Sequence, residues 1–151
     1  MMEKERFLKL DDQACFPLYA LSRGITNAYR PFLEALDITY PQYLVLMVLW
    51  EKEGLTVNQI GDRLHLDSGT LTPLLKRLEA KGILIRKRKE EDERVVAITL
   101  TSVGLALKKK ALKVPQQVVE ALGLTEKELN QLKNITSKIL KKCSKEECTC
   151  L

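Results

Sequence analysis

The chain has 151 residues, 45% hydrophobic and 30% charged, a balance that excludes disordered and fibrous classes and suits one domain with a buried core. Its formal net charge of +5 permits a polyanionic partner without requiring one. No apolar run is long enough to span a bilayer and Met1–Leu10 is too charged for a secretory signal, so the expectation is a cytoplasmic protein with no membrane partner.

Leu18, Leu21, Ile25, Ala28, Phe32 and Leu36 recur at helical spacing and predict an amphipathic helix over about 13–36, kinked or ended early by Pro31. Thr39, Pro41 and Gln42 supply the cap, first-turn proline and third-position glutamine of a helix over about 40–53, which Gly54 stops. Thr56 with Gln59 forms a capping box, and Leu55 with Ile60 a hydrophobic staple, for a short helix to about 64. After a turn, Asp67 or Ser68 caps a helix over about 69–81 carrying Leu71, Leu74, Leu75 and Leu78 on one face, with Pro73 near its first turn.

Residues 83–88 and 94–100 are rich in β-branched side chains and flank a fully charged link, which predicts a hairpin with a polar tip. A long helix over about 102–122, kinked at Pro115 and closed by Gly123, comes next. Thr125 with Glu128 opens a last helix to about 142, and 143–151 reads as a flexible tail. Two short helices joined by a turn and followed by a hairpin outline a winged helix-turn-helix. The fold class expected is mainly α with a small β-hairpin wing. In one domain, 38–101 is the DNA-binding lobe, while 13–36 and 102–142 are dimerisation helices whose apolar faces a partner chain would cover.

On or near the face away from the leucines are Ser68, Thr70, Thr72, Lys76 and Arg77, side chains able to meet phosphates or base edges in a major groove. Arg86, Lys87, Arg88, Lys89 and Arg94 gather positive charge on the adjacent hairpin, where Arg94 suits a minor groove and Asp92 is placed to hold it. A solvated, solubilising hairpin is the competing reading. His65 sits in the turn between the two short helices, in a structural or phosphate-neighbouring place.

The four cysteines form no disulfide framework: Cys15 stands alone, and Cys143, Cys148 and Cys150 crowd the end. Cys15 is either a small buried hydrophobe or a reactive thiol. The three terminal thiols, without a nearby histidine, are an incomplete zinc set, so neither metal nor cofactor is expected. Paired catalytic carboxylates, a nucleophile triad and a glycine-rich phosphate loop are missing from the sequence, which argues against an enzyme.

The strings Asp67-Ser-Gly-Thr-Leu-Thr-Pro-Leu-Leu-Lys-Arg-Leu-Glu79 and Glu91-Asp-Glu-Arg94 resemble the MarR family of winged-helix regulators, and within it the organic-hydroperoxide-sensing branch of OhrR, MgrA and SarZ. The resemblance covers about 13–115. It implies a homodimeric repressor on a pseudo-palindromic operator, with Cys15 as the peroxide-sensing thiol and Tyr29 and Tyr40 hydrogen-bonding to it. A thiol near a helix start, with phenolic donors beside it, would favour the thiolate that peroxides attack. Pro17 departs from the family pattern, and whether the helix begins near Asp12 or Phe16 stays open. Cys143, Cys148 and Cys150 are candidates to resolve the oxidised thiol, with a low-molecular-weight thiol as the family's other route, but their positions match no family pattern and the preferred reading is a flexible tail with incidental cysteines. The alternative is a regulator released by a small aromatic ligand, with Cys15 structural.

Overall fold

Four of the helix starts follow the capping residues Thr39, Thr56, Asp67 and Thr101. The computed structural model describes residues 8–89 and 92–143. After a short 3-10 turn at Leu10–Asp12, helix α1 runs over Cys15–Glu34 and α2 over Tyr40–Glu51. The Thr39 N–H donates to Gln42 Oε1 at 2.9 Å, as the predicted capping box requires. Strand β1 (Leu55–Thr56) leads into α3 (Val57–Leu64), whose box is complete: the Thr56 N–H donates to Gln59 Oε1 at 3.0 Å, and the Gln59 N–H to Thr56 Oγ1 at 3.2 Å. Helix α4 spans Ser68–Ala80, capped by Asp67. Strands β2 (Leu84–Lys89) and β3 (Asp92–Leu100) follow, then α5 (Ser102–Ala111), α6 (Val114–Leu122) and α7 (Glu126–Cys143).

The chain divides into two compact units, one ending at Pro115 and the other starting at Gln116. In the first, the antiparallel sheet has the order β1-β3-β2, with Leu55 opposite Ile98 and Arg86 opposite Ile98 on the other side. Its core is built by Val45, Leu46 and Leu49 of α2, Ile60 of α3, Leu71, Leu75 and Leu78 of α4, and Leu84 and Ile98 of the sheet, all at most 1% exposed. Each such leucine stabilises the fold by about 1.5–3 kcal/mol relative to leaving it in water. In the second unit no residue of α7 is buried.

Three expectations about proline need correction. Pro31 neither ends α1 nor stops it early: the helix continues to Glu34, because an exposed proline in the last turn removes a single hydrogen bond. Pro73 is the sixth residue of α4, beyond the first turn, and is exposed to solvent. The long helix over 102–122 is two helices, because Pro115 has no N–H to offer the Ala111 carbonyl. The first therefore ends at Ala111, and Pro115 takes the second position of the next. Strand β1 was not expected, since two residues are too short to show alternation. The doubt over Pro17 resolves: α1 begins at Cys15, which places Pro17 in the first turn, where a missing N–H costs little.

Two glycines permit close approaches. A Cβ on Gly61 would lie 2.5 Å from the Leu66 carbonyl oxygen, within the turn between α3 and α4. A Cβ on Gly104 would collide with the Ile83 carbonyl oxygen and stand 3.0 Å from Leu100 Cδ2. Gly61→Ala and Gly104→Ala should each destabilise the protein by about 1–3 kcal/mol through forced backbone shifts, measured by urea unfolding.

Hydrogen bonds from the Thr70 N–H and hydroxyl hold the Asp67 carboxyl below its ordinary range, and those from the Thr125 hydroxyl and N–H do the same for Glu128. A depressed carboxyl adds stability that is full above its unfolded pKa of about 4 and is lost as the pH falls through the lower folded value. The double variant Asp67→Asn, Glu128→Gln should therefore be less stable than the wild type at neutral pH, with the gap in urea midpoint closing as the solution is taken to about pH 2.

Candidate nucleic-acid interface and thiol site

The candidate recognition surface is the outer face of α4. With Leu71, Leu75 and Leu78 facing inward, the helical period turns Thr70, Lys76 and Arg77 outward, and all three are exposed; Ser68, three residues before Leu71, is exposed because it opens the helix, and Thr72 is half-exposed. The Asp67 carboxylate fixes the first turn, accepting from the Thr70 N–H and from the Thr70 hydroxyl, both at 2.8 Å. The Thr72 hydroxyl donates to the Ser68 carbonyl at 2.6 Å. Both threonine hydroxyls thus commit their proton within the helix and present only oxygen lone pairs outward, so they can accept from base amino groups but do not donate to phosphate. Ser68 is the hydroxyl with no such intrahelical donor bond among the described residues.

The wing stands beside α4. Arg86 and Arg88 share one face of β2, with Lys87 on the other; Lys87 and Arg88 are exposed. Arg86 differs from the other expected contacts. Its Nε–H donates to Glu79 Oε2 at 2.7 Å and its backbone N–H to Glu79 Oε1 at 3.2 Å, so both carboxylate oxygens of the last turn of α4 are committed to one wing residue. Asp92 and Arg94 belong to β3 by their backbone, and their side chains lie outside the described residues. His65 closes α3 in the left-handed conformation with φ of 53°, and is exposed in the turn that leads to Asp67.

Cys15 is the first residue of α1 and is exposed. The preceding Ala14 gives no side-chain cap, so the first-turn N–H groups face the thiol's end of the helix without a competing carboxylate or hydroxyl from that position. Within one chain, Tyr29 and Tyr40 lie away from the thiol. They pair with each other, ring centroids 4.7 Å apart, and Tyr29 also meets Tyr43 at 5.8 Å. No hydrogen bond joins Cys15 to either tyrosine among the described residues. Cys15 and Tyr29 occupy one helix fourteen residues apart, roughly 21 Å along the axis. Burial pushes the Tyr29, Tyr40 and Tyr43 phenols up, with the neighbouring phenols adding to the rise at Tyr29 and Tyr43, so all three stay protonated donors across the physiological range.

The tyrosine cluster continues to Trp50, whose ring meets Tyr43 edge-on at 6.0 Å and whose Nε1–H donates to the Gly104 carbonyl at 3.0 Å. Tyr43 and Trp50 gave no functional signal in the sequence, since an aromatic on the inner face of a helix looks like core. Cys143 ends α7 and is exposed, while Cys148 and Cys150 lie outside the described residues. No described helix is long and apolar enough to cross a membrane, and the described residues include no group of three or more metal-ligating side chains.

Residues 27–111 match the family profile described as "Transcriptional regulator SarA/Rot". The chain is 52% identical over 137 residues, 91% of both chains, to the "Organic hydroperoxide resistance transcriptional regulator" of Bacillus subtilis. It is 41% identical over 133 residues, 85% of this chain and 90% of the other, to "HTH-type transcriptional regulator SarZ" of Staphylococcus aureus. Among solved structures it resembles reduced AbfR bound to DNA, a Staphylococcus epidermidis protein, with TM-score 0.76 at 36% identity over 95% of this chain and 99% of that one. AbfR with its disulfide formed is less similar, with TM-score 0.60 over 93% and 94%. A cysteine-to-serine mutant of Escherichia coli MarR on operator DNA matches with TM-score 0.74 at 28% identity over 82% and 90%. With the matched profile covering more than half of its length, the chain belongs to the SarA/Rot transcriptional regulators, on the winged-helix fold of MarR.

Proposed function

We propose that the protein is a dimeric DNA-binding repressor that leaves its operator when Cys15 is oxidised by an organic hydroperoxide. The observation that carries the DNA half is the exposed face of α4, with Thr70, Lys76 and Arg77 turned outward, Ser68 exposed at its start and Thr72 half-exposed, beside a basic wing. Lys76, Arg77 and Arg88 supply positive charge for phosphates, Ser68 and the capped first turn present donors at a helix N-terminus, and Asp92 with Arg94 complete the wing. Two of the similar proteins of known structure are bound to DNA.

Pairing of two chains is supported by two features of α1 and α7. Phe16, Leu18, Tyr19 and Leu21 on α1, and separately Ile135, Ile139 and Leu140 on α7, are between 37% and 60% exposed, so each helix by itself leaves apolar side chains in water. The length of α1 keeps Tyr29 away from Cys15 of its own chain, so in this reading Tyr29 meets the thiol of a second chain across a two-fold axis. A two-fold pair also sets two recognition helices about one turn of DNA apart, which suits a pseudo-palindromic operator in the cytoplasm.

The chemistry asks little of the protein. The Cys15 thiolate attacks one oxygen of the peroxide, the O–O bond breaks, and the alkoxide leaves and takes a proton as the alcohol, with Cys15 becoming the sulfenic acid. A second thiolate then attacks that sulfur and expels hydroxide, which leaves as water, and a disulfide forms. The second thiol is Cys143, Cys148 or Cys150 of a chain, or a low-molecular-weight thiol. Protonated Tyr29 and Tyr40 suit a developing oxygen anion as donors.

A second reading has one observation in its favour. Tyr43, Met47, Trp50, Ala111, Leu112 and Pro115 line an open apolar groove of about 230 Å³, with Glu51 and Lys108 at its rim, which fits a small aromatic effector. Fluorescence anisotropy on DNA from the protein's own promoter separates the two. Wild type should release the duplex on addition of cumene hydroperoxide, while Cys15→Ser should bind as tightly as wild type and stay bound. Tyr29→Phe should release with a rate constant lowered by about tenfold, the loss of one charge-assisted hydrogen bond. Release of Cys15→Ser by the peroxide would overturn the sensing role, and release of both proteins by salicylate alone would establish the second reading.

A further inference from the structure

We infer that Glu79 and Arg86 form a clasp that sets the angle of the wing against the recognition helix, so that Arg86 acts on DNA through Glu79 and not by touching it. The inference deepens the DNA-binding reading above and rests on it. Arg86 is one of the basic wing residues that the sequence offers as a phosphate contact, yet its guanidinium is engaged inward, with the side chain only 28% exposed against Glu79 at 35%.

The geometry is selective. Glu79 sits in the last turn of α4, two residues after Arg77, and the chain leaves the helix through Lys81 and Gly82 before entering β2 at Leu84. That exit is short, and the base of the hairpin is already held by the burial of Leu84 and Ile98 and by the pairing of Ile98 with Leu55, so what is left for the clasp to fix is the wing from Arg86 outward. One carboxylate oxygen takes the Arg86 backbone N–H at 3.2 Å, which fixes the strand, and the other takes Nε–H at 2.7 Å, which fixes the side chain. Two bonds from one carboxylate to main chain and side chain of the same residue remove the hinge rotation that a single bond would leave free.

The hydrogen bond and charge of Arg86 hold the Glu79 carboxyl below its usual range, so the clasp stays closed at any pH a cell reaches. It is therefore a fixed alignment and no pH switch. The next residue on the same face, Arg88, is exposed, and its reach toward a phosphate depends on where Arg86 anchors the strand.

A contact and a clasp predict opposite signs for Glu79. Removing a negative charge close to DNA tightens binding if electrostatics alone acts; under the clasp it weakens binding. The test uses the full chain, a duplex enriched by the wild-type protein from a random pool, and a scrambled duplex of equal length, over a series of salt concentrations. Glu79→Gln and Arg86→Gln should each weaken the enriched duplex by about tenfold and alter the salt slope equally, the double variant should be no weaker than either single one, and scrambled-duplex binding should persist in all three. Arg86→Lys keeps the charge but not the Nε–H fork, and should behave like Arg86→Gln on the enriched duplex.

The clasp is overturned if Glu79→Gln binds as tightly as wild type or tighter, if Arg86→Gln alone flattens the salt slope by about 0.9 while Arg86→Lys binds normally, or if the two losses add. A variant that loses both duplexes and also melts without cooperativity has failed to fold, and the Arg86→Lys comparison then decides. If wild type enriches no duplex, the DNA-binding reading falls, and this inference with it.

Discussion

The winged-helix lobe hangs on the approach of α5 to the carbonyls of Gly82 and Ile83. The Thr101 N–H donates to the Ile83 carbonyl at 3.1 Å, the Thr101 hydroxyl reaches the Gly82 carbonyl at 2.6 Å, and Gly104 comes so near Ile83 that no side chain fits. Those carbonyls lie where the recognition helix hands over to the wing. One contact therefore seats α5 on the joint between the two parts of the lobe. Trp50 extends it, donating to the Gly104 carbonyl from α2, while Lys108 of α5 returns a hydrogen bond to the Trp50 carbonyl at 2.9 Å.

From that joint the rest of the lobe follows by packing. Leu71, Leu75 and Leu78 fill the space that α2 and the sheet leave, and their side being full forces the polar and basic side chains of α4 to the other. The surface ion pairs matter less to stability than to placement. Arg63 with Glu51, at 2.5 Å, is half exposed at both ends and adds little in water. Lys81 with Asp37, at 2.9 Å, ties the end of α4 to the turn after α1, where Asp37 sits in the left-handed region.

The same helix, α1, carries the thiol at one end and the tyrosine at the other. Tyr29 meets both Tyr40 and Tyr43, and Tyr43 meets Trp50 edge-on, so the aromatic side chain at the far end of α1 connects through Tyr43 to the residue that holds Gly104.

Much of this was legible in the residues. Thr39, Thr56, Asp67, Thr101 and Thr125 each stand where a helix begins, because capping is a local exchange between a side chain and the three residues after it. The leucine period of α4 gave its inner face and, by exclusion, the outer face of the candidate site, and the β-branched runs gave the hairpin. The partners across the fold were not legible. Strand β1 exists only because residues 97–98 arrive beside it, and Arg86 looked like a free cation until the backbone placed Glu79 at 2.7 Å. Tyr29 and Tyr40, which the resemblance sets near the thiol, pair with each other within the chain, a contact made by the angle between α1 and α2. Local sequence determined where elements start and which face is apolar, because those depend on neighbours within a turn. Which polar group meets which across the fold was decided by tertiary structure alone, because that depends on distances between residues the chain order does not encode.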